Sequence, residues 1–173
     1  MVKFQTKILA ESIVAVALAG VLHLITLFQL PQGGRVTAAA MVPIFLVALR
    51  RGPRVGVLAG VAYGLVVFVE EPFIFHPVQF LLDYPIAFGA LGLAGFFRRK
   101  PLAGVAIGIA GRFVSHFISG IVFFATYAPE GMNPALYSAI YNGSYLVPEF
   151  LVSSIALFIL ERRRILELSL IHI

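Results

Sequence analysis

Six apolar stretches, most of them near 20 residues long, determine what this chain can fold into. An α-helix needs about 20 consecutive apolar residues to cross the ~30 Å hydrocarbon core of a bilayer. The chain is 60% hydrophobic and 12% charged, whereas soluble domains average about 45–50% and about 25%. The sequence therefore predicts an all-α integral membrane protein, a bundle of six transmembrane helices. The predicted spans are 7–28, 37–49, 55–69, 78–97, 102–125 and 135–160.

The predicted spans belong to one domain. The second span is short for a straight crossing, so it is expected to be tilted, partly buried or broken near Pro43. No polar linker is long enough to separate two domains, so residues 1–165 are predicted to form a single six-helix membrane domain. Residues 166–173 are a tail, either native or an artefact of sequence assembly. The first span is too long for a cleaved signal peptide and lacks a small-residue cleavage site.

Basic residues mark one side of the predicted bundle. Lysine and arginine precede the first span, follow the sixth, and fill the connections between spans two and three and between spans four and five. The opposite connections carry Glu70, Glu71, Glu130 and Arg35, a loop arginine expected to be solvated. By the positive-inside rule both termini are cytoplasmic. This pattern accounts for the net charge of +5, so no nucleic-acid partner is predicted.

Small residues recur at intervals of four in several spans. Glycine occupies every fourth position from Gly52 to Gly64, and the first span carries Ala15 and Ala19. Such spacing lets helix backbones approach closely within lipid. The glycines are predicted to pack helices together inside the bundle. The two alanines fit either internal packing or contact with a partner subunit.

Five strongly polar side chains fall inside predicted spans, namely Asp83, Arg112, His116, Asn142 and Glu149. A charge at a helix centre costs about 2.5–3.5 kcal/mol even on lenient insertion scales. Arg112 and Glu149 have similar predicted depths, so the hypothesis is a buried ion pair between them. Asp83 would then be an anion without a counter-ion, which protonation, a metal or a cation must neutralise.

Aromatic residues crowd the same outer level as Asp83. They are Tyr84, Phe123, Phe124, Tyr127, Tyr137, Tyr141 and Tyr145. Aromatic faces attract cations and stack on flat heterocycles, and the Asn142 amide offers donors and acceptors to a ring edge. The residues alone favour an outward-opening site for a small, flat, positively charged nutrient. The alternative assigns Asp83 to a helix cap or kink, His116 to the protein interior, and the tyrosines to interfacial anchoring.

Four segments resemble the thiamine-specific substrate-binding subunit of energy-coupling factor (ECF) transporters, the ThiT (YuaJ) family. They are VPIFLVALRRG (42–52), HPVQFLLDYPIAF (76–88), RFVSHFISGIVFF (112–124) and YAPEGMNPALYSAIYNGSYLVPE (127–149). The resemblance covers nearly the whole chain. It implies a six-helix subunit of a prokaryotic plasma membrane that binds thiamine from outside. It also implies delivery together with a transmembrane coupling subunit and two cytosolic ATPases. A related cationic or pyrimidine precursor of the vitamin is the alternative ligand.

The resemblance also implies functions for individual residues. Ligand-binding positions are Asp83, Tyr84, Arg112, His116, Gly120, Phe124, Tyr137 and Asn142. Asp83 stands where the family usually has a glutamate, and Phe124 replaces a stacking tryptophan in a chain without tryptophan. Ala15 and Ala19 resemble the alanine motif that docks the coupling subunit. An aromatic lid residue of the family is missing around Gly33 in the first outer loop.

Catalysis is not predicted. The chain lacks a G-x-x-x-x-G-K-[ST] loop to hold ATP phosphates, so energy must come from partners. It also lacks an H-E-x-x-H metal motif and a serine elbow. No catalytic residue, metal site or cofactor is therefore expected. An intramembrane enzyme using Asp83, His116 and Glu149, or a passive channel, is the less favoured class. The outer segments 29–36 and 70–75 are predicted to close over the ligand.

Overall fold

The computed structural model describes residues 2–162, so the predicted tail at 166–173 lies outside the described residues. Within that range the elements are, in order, α1 (Val2–His23), β1 (Thr26–Gln29), β2 (Arg35–Thr37), α2 (Val42–Arg51), α3 (Pro53–Glu70), α4 (Pro77–Phe97), α5 (Pro101–Phe123) and α6 (Pro134–Arg162). All the helices of this range except α2 are long and apolar enough to cross a membrane. The predicted spans 55–69, 78–97, 102–125 and 135–160 thus match α3 to α6 within a few residues.

A β-hairpin replaces the predicted ends of the first two spans. The first span was expected to reach residue 28 and the second to begin at residue 37, but α1 ends at His23 and α2 begins at Val42. Between them β1 pairs antiparallel with β2, with Thr26 opposite Thr37 and Gln29 opposite Arg35. A short apolar run cannot be assigned to helix or strand by periodicity alone. The span boundaries predicted there are therefore wrong.

Helix α2 is a short buried helix. Its 10 residues extend ~15 Å, half of a hydrocarbon core. Pro43 lies in its first turn, where the missing N–H costs no helical hydrogen bond. Ile44, Phe45 and Ala48 are fully buried, which agrees with the expectation of a partly buried second span. Gly52 has a φ of 95°, a conformation that favours glycine and lets the chain turn directly into α3.

The glycines of α3 pack its backbone against α4, as the four-residue spacing predicts. A β-carbon on Gly60 would lie 2.3 Å from the carbonyl oxygen of Phe88, and one on Gly64 would lie 2.6 Å from that of Tyr84. On the facing helix, a β-carbon on Gly92 would lie 2.1 Å from the Val57 nitrogen. Any side chain at these positions would push the two helices apart. This contact fixes α4, the helix that carries Asp83.

Ala15 and Ala19 pack inside the bundle. Ala15 is 9% exposed and Ala19 is 0% exposed, and both belong to the buried core on the side where α1 contacts α2 and α3. A partner cannot contact a side chain with no accessible surface. In this conformation both alanines pack inside the bundle, and their contact with a partner subunit stays a prediction.

Candidate ligand-binding site

A cavity of about 440 Å³ lies at the end of the bundle that carries the hairpin. The hairpin tip, the segment after α3, and helices α4, α5 and α6 form its walls. All the residues that the family resemblance implied to bind ligand line this cavity. They are Asp83, Tyr84, Arg112, His116, Gly120, Phe124, Tyr137 and Asn142. Residues from three helices that are far apart in the chain thus share one space.

Asp83 reaches the cavity from an irregular turn of α4. Residues Leu82–Ile86 form a π-helical turn that contains Pro85, and the missing proline N–H explains the break in regular hydrogen bonding. The hydroxyl of Ser115 on α5 donates to the carbonyl of Leu82 at 2.6 Å, which ties the turn to the neighbouring helix. The Gln79 amide donates to Asp83 Oδ2 at 2.6 Å. The carboxylate is therefore held in place rather than free to rotate.

A chain of hydrogen bonds joins Arg112, His116 and Asp83. Arg112 Nε lies 3.2 Å from His116 Nε2, and His116 Nδ1 lies 3.2 Å from Asp83 Oδ1. A guanidinium can only donate, so Nε2 must be the accepting nitrogen and the proton of a neutral ring must be on Nδ1. The imidazole then donates to the carboxylate. Two hydrogen bonds through a neutral histidine thus link Arg112 to Asp83.

Asp83 is not the isolated anion that the sequence suggested. Its carboxylate accepts from Gln79 and from His116, and both donors are neutral in this arrangement. Within residues 2–162, no lysine or arginine nitrogen lies within 4.0 Å of it. Asp83 therefore has hydrogen-bond partners but no cation in direct contact.

The predicted ion pair between Arg112 and Glu149 is wrong. Arg112 donates to His116 and to Met41 Sδ at 3.1 Å, and its guanidinium carbon lies 4.2 Å from the centre of the Phe88 ring. Glu149 Oε1 instead accepts from the backbone N–H of Thr37 at 2.6 Å and from its hydroxyl at 2.7 Å. The end of the hairpin supplies these donors. The hairpin was not predicted, so the similar depths of Arg112 and Glu149 in the membrane suggested the wrong partner.

Helix α6 supplies an amide with fixed orientation. Asn142 is 5% exposed; its Nδ2 donates to the Ser138 carbonyl at 2.9 Å, and its Oδ1 accepts from the Tyr145 hydroxyl at 2.9 Å. Gly120 on α5 allows this approach, since a β-carbon there would lie 2.1 Å from Ser138 Oγ. Nδ2 also lies 3.2 Å from Ser138 Oγ and 3.5 Å from the His116 carbonyl oxygen, so both of its hydrogens have acceptors within the protein. Oδ1 keeps one further accepting capacity, and the residue lines the cavity.

Aromatic rings form two stacked pairs around the cavity. The Phe124 and Tyr127 rings lie 5.9 Å apart with an interplanar angle of 11°, and the Tyr137 and Tyr141 rings lie 6.0 Å apart at 24°. Phe73, from the segment after α3, lies 5.9 Å from Phe124. Aromatic residues that the sequence placed at the depth of Asp83 thus surround the cavity. Flat faces at several sides suit a flat, conjugated ligand.

Two outer segments close the mouth of the cavity and hydrogen-bond to its walls. The Tyr141 hydroxyl bonds to the hairpin tip at Gly34 and Pro31, at 2.8 Å and 2.6 Å. The Tyr84 hydroxyl donates to the Glu71 carbonyl at 2.9 Å. These segments correspond to the predicted closing segments 29–36 and 70–75.

Some lining residues were not identified from the sequence as site residues. Arg35, expected to be solvated, is 13% exposed in its side chain and forms an ion pair with Glu71; both residues line the cavity. Gln79 precedes Asp83 by one helical turn, and this spacing was the available signal. His23, at the end of α1, also lines the cavity. No charged residue one helical turn away marked it as a site residue.

The fold and the cavity together define a class: a multi-pass helical membrane protein that encloses a small-molecule site at one end of its bundle. The family described as Thiamine transporter protein (Thia_YuaJ) matches residues 9–168. The chain belongs to this thiamine transporter family, whose members are multi-pass proteins of the cell membrane.

Individual relatives agree with this assignment. The chain is 37% identical over 171 residues to the thiamine transporter ThiT of Bacillus subtilis, covering 88% of each. It is 33% identical over 123 residues to the thiamine transporter ThiT of Lacticaseibacillus paracasei, covering 60% of this chain and 61% of the relative. The solved structure of ThiT from Listeria monocytogenes superposes with a TM-score of 0.84 at 27% identity, covering 92% of this chain and 95% of that one.

Proposed function

We propose that this chain is the thiamine-binding membrane subunit of an ECF-type vitamin importer. Residues 1–165 form one domain of six membrane-embedded helices, with both termini in the cytoplasm and the hairpin end facing outward. The subunit binds thiamine from outside and performs no chemistry on it. The family membership and the cavity support this proposal.

The observation that carries the proposal is the environment of Asp83. Its carboxylate lines an enclosed cavity and has only neutral direct donors, Gln79 and His116. Thiamine carries a permanent positive charge on its thiazolium ring and would supply the missing cation. An opposite charge in a water-poor cavity interacts more strongly than it does in bulk water. The site therefore favours a cation over a neutral analogue of the same shape.

The remaining walls suit the rest of the vitamin. A cavity of about 440 Å³ falls in the range of about 300–1,000 Å³ that is typical of small-molecule sites. The stacked pairs at Phe124 and at Tyr137 offer faces to flat rings. The Asn142 amide, held by Ser138 and Tyr145, offers a fixed accepting oxygen to the amino group of an aminopyrimidine. Arg112, His116 and Gly120 complete the proposed contacts.

Transport requires partners that this chain does not contain. Its sequence has no phosphate-binding loop for ATP, so the proposed partners are a transmembrane coupling subunit and two cytosolic ATPases. Because Ala15 and Ala19 are buried, their proposed contact with the coupling subunit would require α1 to move away from α2 and α3.

Calorimetry on the purified wild-type chain tests the proposal. Thiamine is expected to bind with one molecule per chain, and Asp83→Asn is expected to weaken binding by at least about tenfold, since charged hydrogen-bond partners contribute about 1.5–3 kcal/mol. Glu130→Gln, which removes the same charge from an exposed loop, should leave the affinity unchanged. Failure of the wild type to bind thiamine, or equal affinities of all three proteins, would refute the proposal.

The same titration separates the vitamin from its precursors. The hydroxymethyl pyrimidine half of thiamine contains the amino edge but lacks the thiazolium charge. If Asp83 recognises the cation, this half should bind far more weakly than thiamine, and Asp83→Asn should affect it little. Equal affinity for the pyrimidine half and the whole vitamin would instead support the alternative, a precursor-binding subunit.

A further inference from the structure

An ion pair closes the mouth of the cavity between the two outer segments. Arg35 in β2 pairs with Glu71, the residue that follows α3. The Arg35 side chain is 13% exposed and that of Glu71 is 37% exposed, and both line the cavity. The Tyr84 hydroxyl holds the Glu71 carbonyl at 2.9 Å. Glu71 is thus fixed at the opening and holds the nearest arginine.

Both arginines that line the cavity are already engaged. Arg112 donates to His116 and to Met41 and lies over the Phe88 ring. Arg35 is paired with Glu71. The carboxylates on the lining are those of Glu71 and Asp83, so the four formal charges of the lining sum to zero. A cationic ligand finds Asp83 with neutral direct donors. An anionic group at the mouth finds Arg35 paired with Glu71, and the Arg35 Nε, which has no hydrogen-bond partner among the described residues, is buried.

A phosphate ester would meet an unfavourable field in this cavity. A phosphate monoester carries about −1.5 to −2 charges at neutral pH. Placed beside the mouth, it would be repelled by the Glu71 carboxylate and would have to break the Arg35–Glu71 pair to obtain a donor. Breaking that pair inside a partly closed cavity leaves a carboxylate next to the phosphate. This electrostatic cost applies to a phosphate ester of the vitamin and not to the unphosphorylated vitamin.

We propose that Glu71 is a specificity-determining residue that selects the unphosphorylated vitamin by holding Arg35 in the ion pair at the mouth. The inference rests on the proposed thiamine function and adds the residue that discriminates against phosphorylated forms. Glu71→Gln removes one negative charge and frees Arg35. Loss of the ion pair at the mouth should weaken the binding of both compounds, but only thiamine monophosphate gains a charged hydrogen-bond donor in return. The ratio of the two affinities should therefore shift toward the monophosphate.

The test measures the affinity of detergent-purified protein for thiamine and for thiamine monophosphate, and compares their ratio between variants. In Glu71→Gln the preference for thiamine should shrink by about tenfold or more, because a new charge-assisted hydrogen bond to phosphate forms. Glu130→Gln is the control: Glu130 is exposed and does not line the cavity. Its ratio of affinities should stay near that of the wild type. Thermal unfolding in the same detergent shows that each variant is folded.

A double variant tests whether Arg35 is the source of the gain in affinity for thiamine monophosphate. In Arg35→Gln with Glu71→Gln, the cation is also gone, so monophosphate should lose what the single Glu71→Gln variant gained. The inference is overturned if Glu71→Gln leaves the ratio of affinities unchanged, if Glu130→Gln shifts it as much, or if the double variant keeps the gain in monophosphate affinity. It is also overturned if the wild type binds both compounds equally. A wild type that binds neither compound would instead refute the thiamine function itself.

Discussion

The hydroxyl of Tyr141 accepts a hydrogen bond from the Gly34 backbone N–H at 2.8 Å. The same hydroxyl donates to the carbonyl of Pro31 at 2.6 Å, so one side chain of α6 holds both sides of the hairpin tip. Its ring lines the cavity. A β-carbon on Gly34 would lie 2.8 Å from the Tyr145 ring, so the tip fits closely against two tyrosines. Tyr141 therefore connects the ligand space to the segment that covers it.

Replacing Tyr141 with Phe should speed ligand release. The ring remains in the cavity, but both hydrogen bonds to the hairpin tip are lost. At about 1 kcal/mol for each hydrogen bond, loss of both should lower the affinity roughly 30-fold, and most of the change should appear in the dissociation rate because the hairpin tip covers the ligand space. Stopped-flow measurement of thiamine dissociation tests this.

Ser144→Ala is the control for the Tyr141 prediction. Ser144 lies on the same helix, is exposed, and donates its hydroxyl to the Tyr141 carbonyl, so the variant removes a polar group without touching the lid. Its dissociation rate should match that of the wild type. A Tyr141→Phe protein that releases thiamine no faster than Ser144→Ala would show that the hairpin tip does not depend on this hydroxyl.

Gly120→Ala should damage the site by separating α5 from α6. The added methyl group would lie 2.1 Å from Ser138 Oγ and 3.6 Å from Asn142 Nδ2, so Ser138 must move and Asn142 loses its orientation. We expect weaker thiamine binding by about tenfold or more and a lower apparent melting temperature, since overpacking typically costs about 1–3 kcal/mol. Calorimetry and thermal unfolding in the same detergent measure both effects.

Gly143→Ala is the matched control for that substitution. Gly143 is also in α6, and no described atom lies within 4 Å of a β-carbon built on it. Alanine has a higher helix propensity than glycine by about 1 kcal/mol, so this variant should bind thiamine normally and unfold at the same or a higher temperature. Equal behaviour of the two alanine variants would contradict the packing argument.

The cavity-lining residues on helices could be predicted because residues on one face of a helix are close to one another in the sequence. Arg112, His116, Gly120 and Phe124 recur every fourth residue of α5, and that spacing alone places them on one face. All four line the cavity. Asp83 and Asn142 stood out because polar groups are rare and costly inside a span. Their nearest partners, one helical turn away, follow from the same periodicity.

Contacts made by the hairpin could not be predicted, because they join parts of the chain that are far apart. Thr37 and Glu149 are 112 residues apart in the chain, and no local pattern pairs Arg35 with Glu71. Strand β1 has only four residues, Thr26–Gln29, too few to separate a strand from the end of a helix. The ion pair wrongly assigned to Arg112 and Glu149 has the same origin.

Replacing Arg112 with Met should weaken binding less than Asp83→Asn does. The change removes the donor to His116 Nε2 and the contact with the Phe88 ring, but it leaves the carboxylate that faces the ligand. The His116 Nε2 atom then loses its hydrogen-bond donor, whereas the Asp83 carboxylate still accepts from Nδ1 and keeps the proton there. We expect a loss of thiamine affinity of about three- to tenfold, as for one hydrogen bond. Nitrogen NMR of labelled histidine should show a shift of the His116 Nε2 signal, with Nδ1 still protonated.

Arg99→Gln is the control for the Arg112 prediction, since Arg99 is exposed at the opposite end of α4 from Asp83. It should change neither the affinity nor the His116 spectrum. If Arg112→Met bound thiamine normally and the His116 Nε2 signal did not shift, the hydrogen-bond chain from Arg112 to Asp83 would have no functional role.

Glu149→Ala should destabilise the protein through the root of the hairpin. Glu149 is 2% exposed, and its Oε1 accepts both the N–H and the hydroxyl of Thr37. Removing the carboxylate leaves two buried donors without an acceptor, at a cost of about 1–3 kcal/mol for each group. Glu149→Gln keeps an accepting oxygen and should lose less. Thermal unfolding of the ligand-free protein should give the highest melting temperature for the wild type, a lower one for Glu149→Gln and the lowest for Glu149→Ala.

Ser153→Ala provides the comparison on the same helix, one turn from Glu149. Ser153 is 0% exposed, and its hydroxyl has no hydrogen-bond partner within residues 2–162, so removing it leaves no described group unsatisfied. Its melting temperature should stay within a few degrees of the wild type, because a small buried change without lost hydrogen bonds costs little. If Glu149→Ala unfolded at the same temperature as Ser153→Ala, the Thr37 contact would not hold the hairpin to α6.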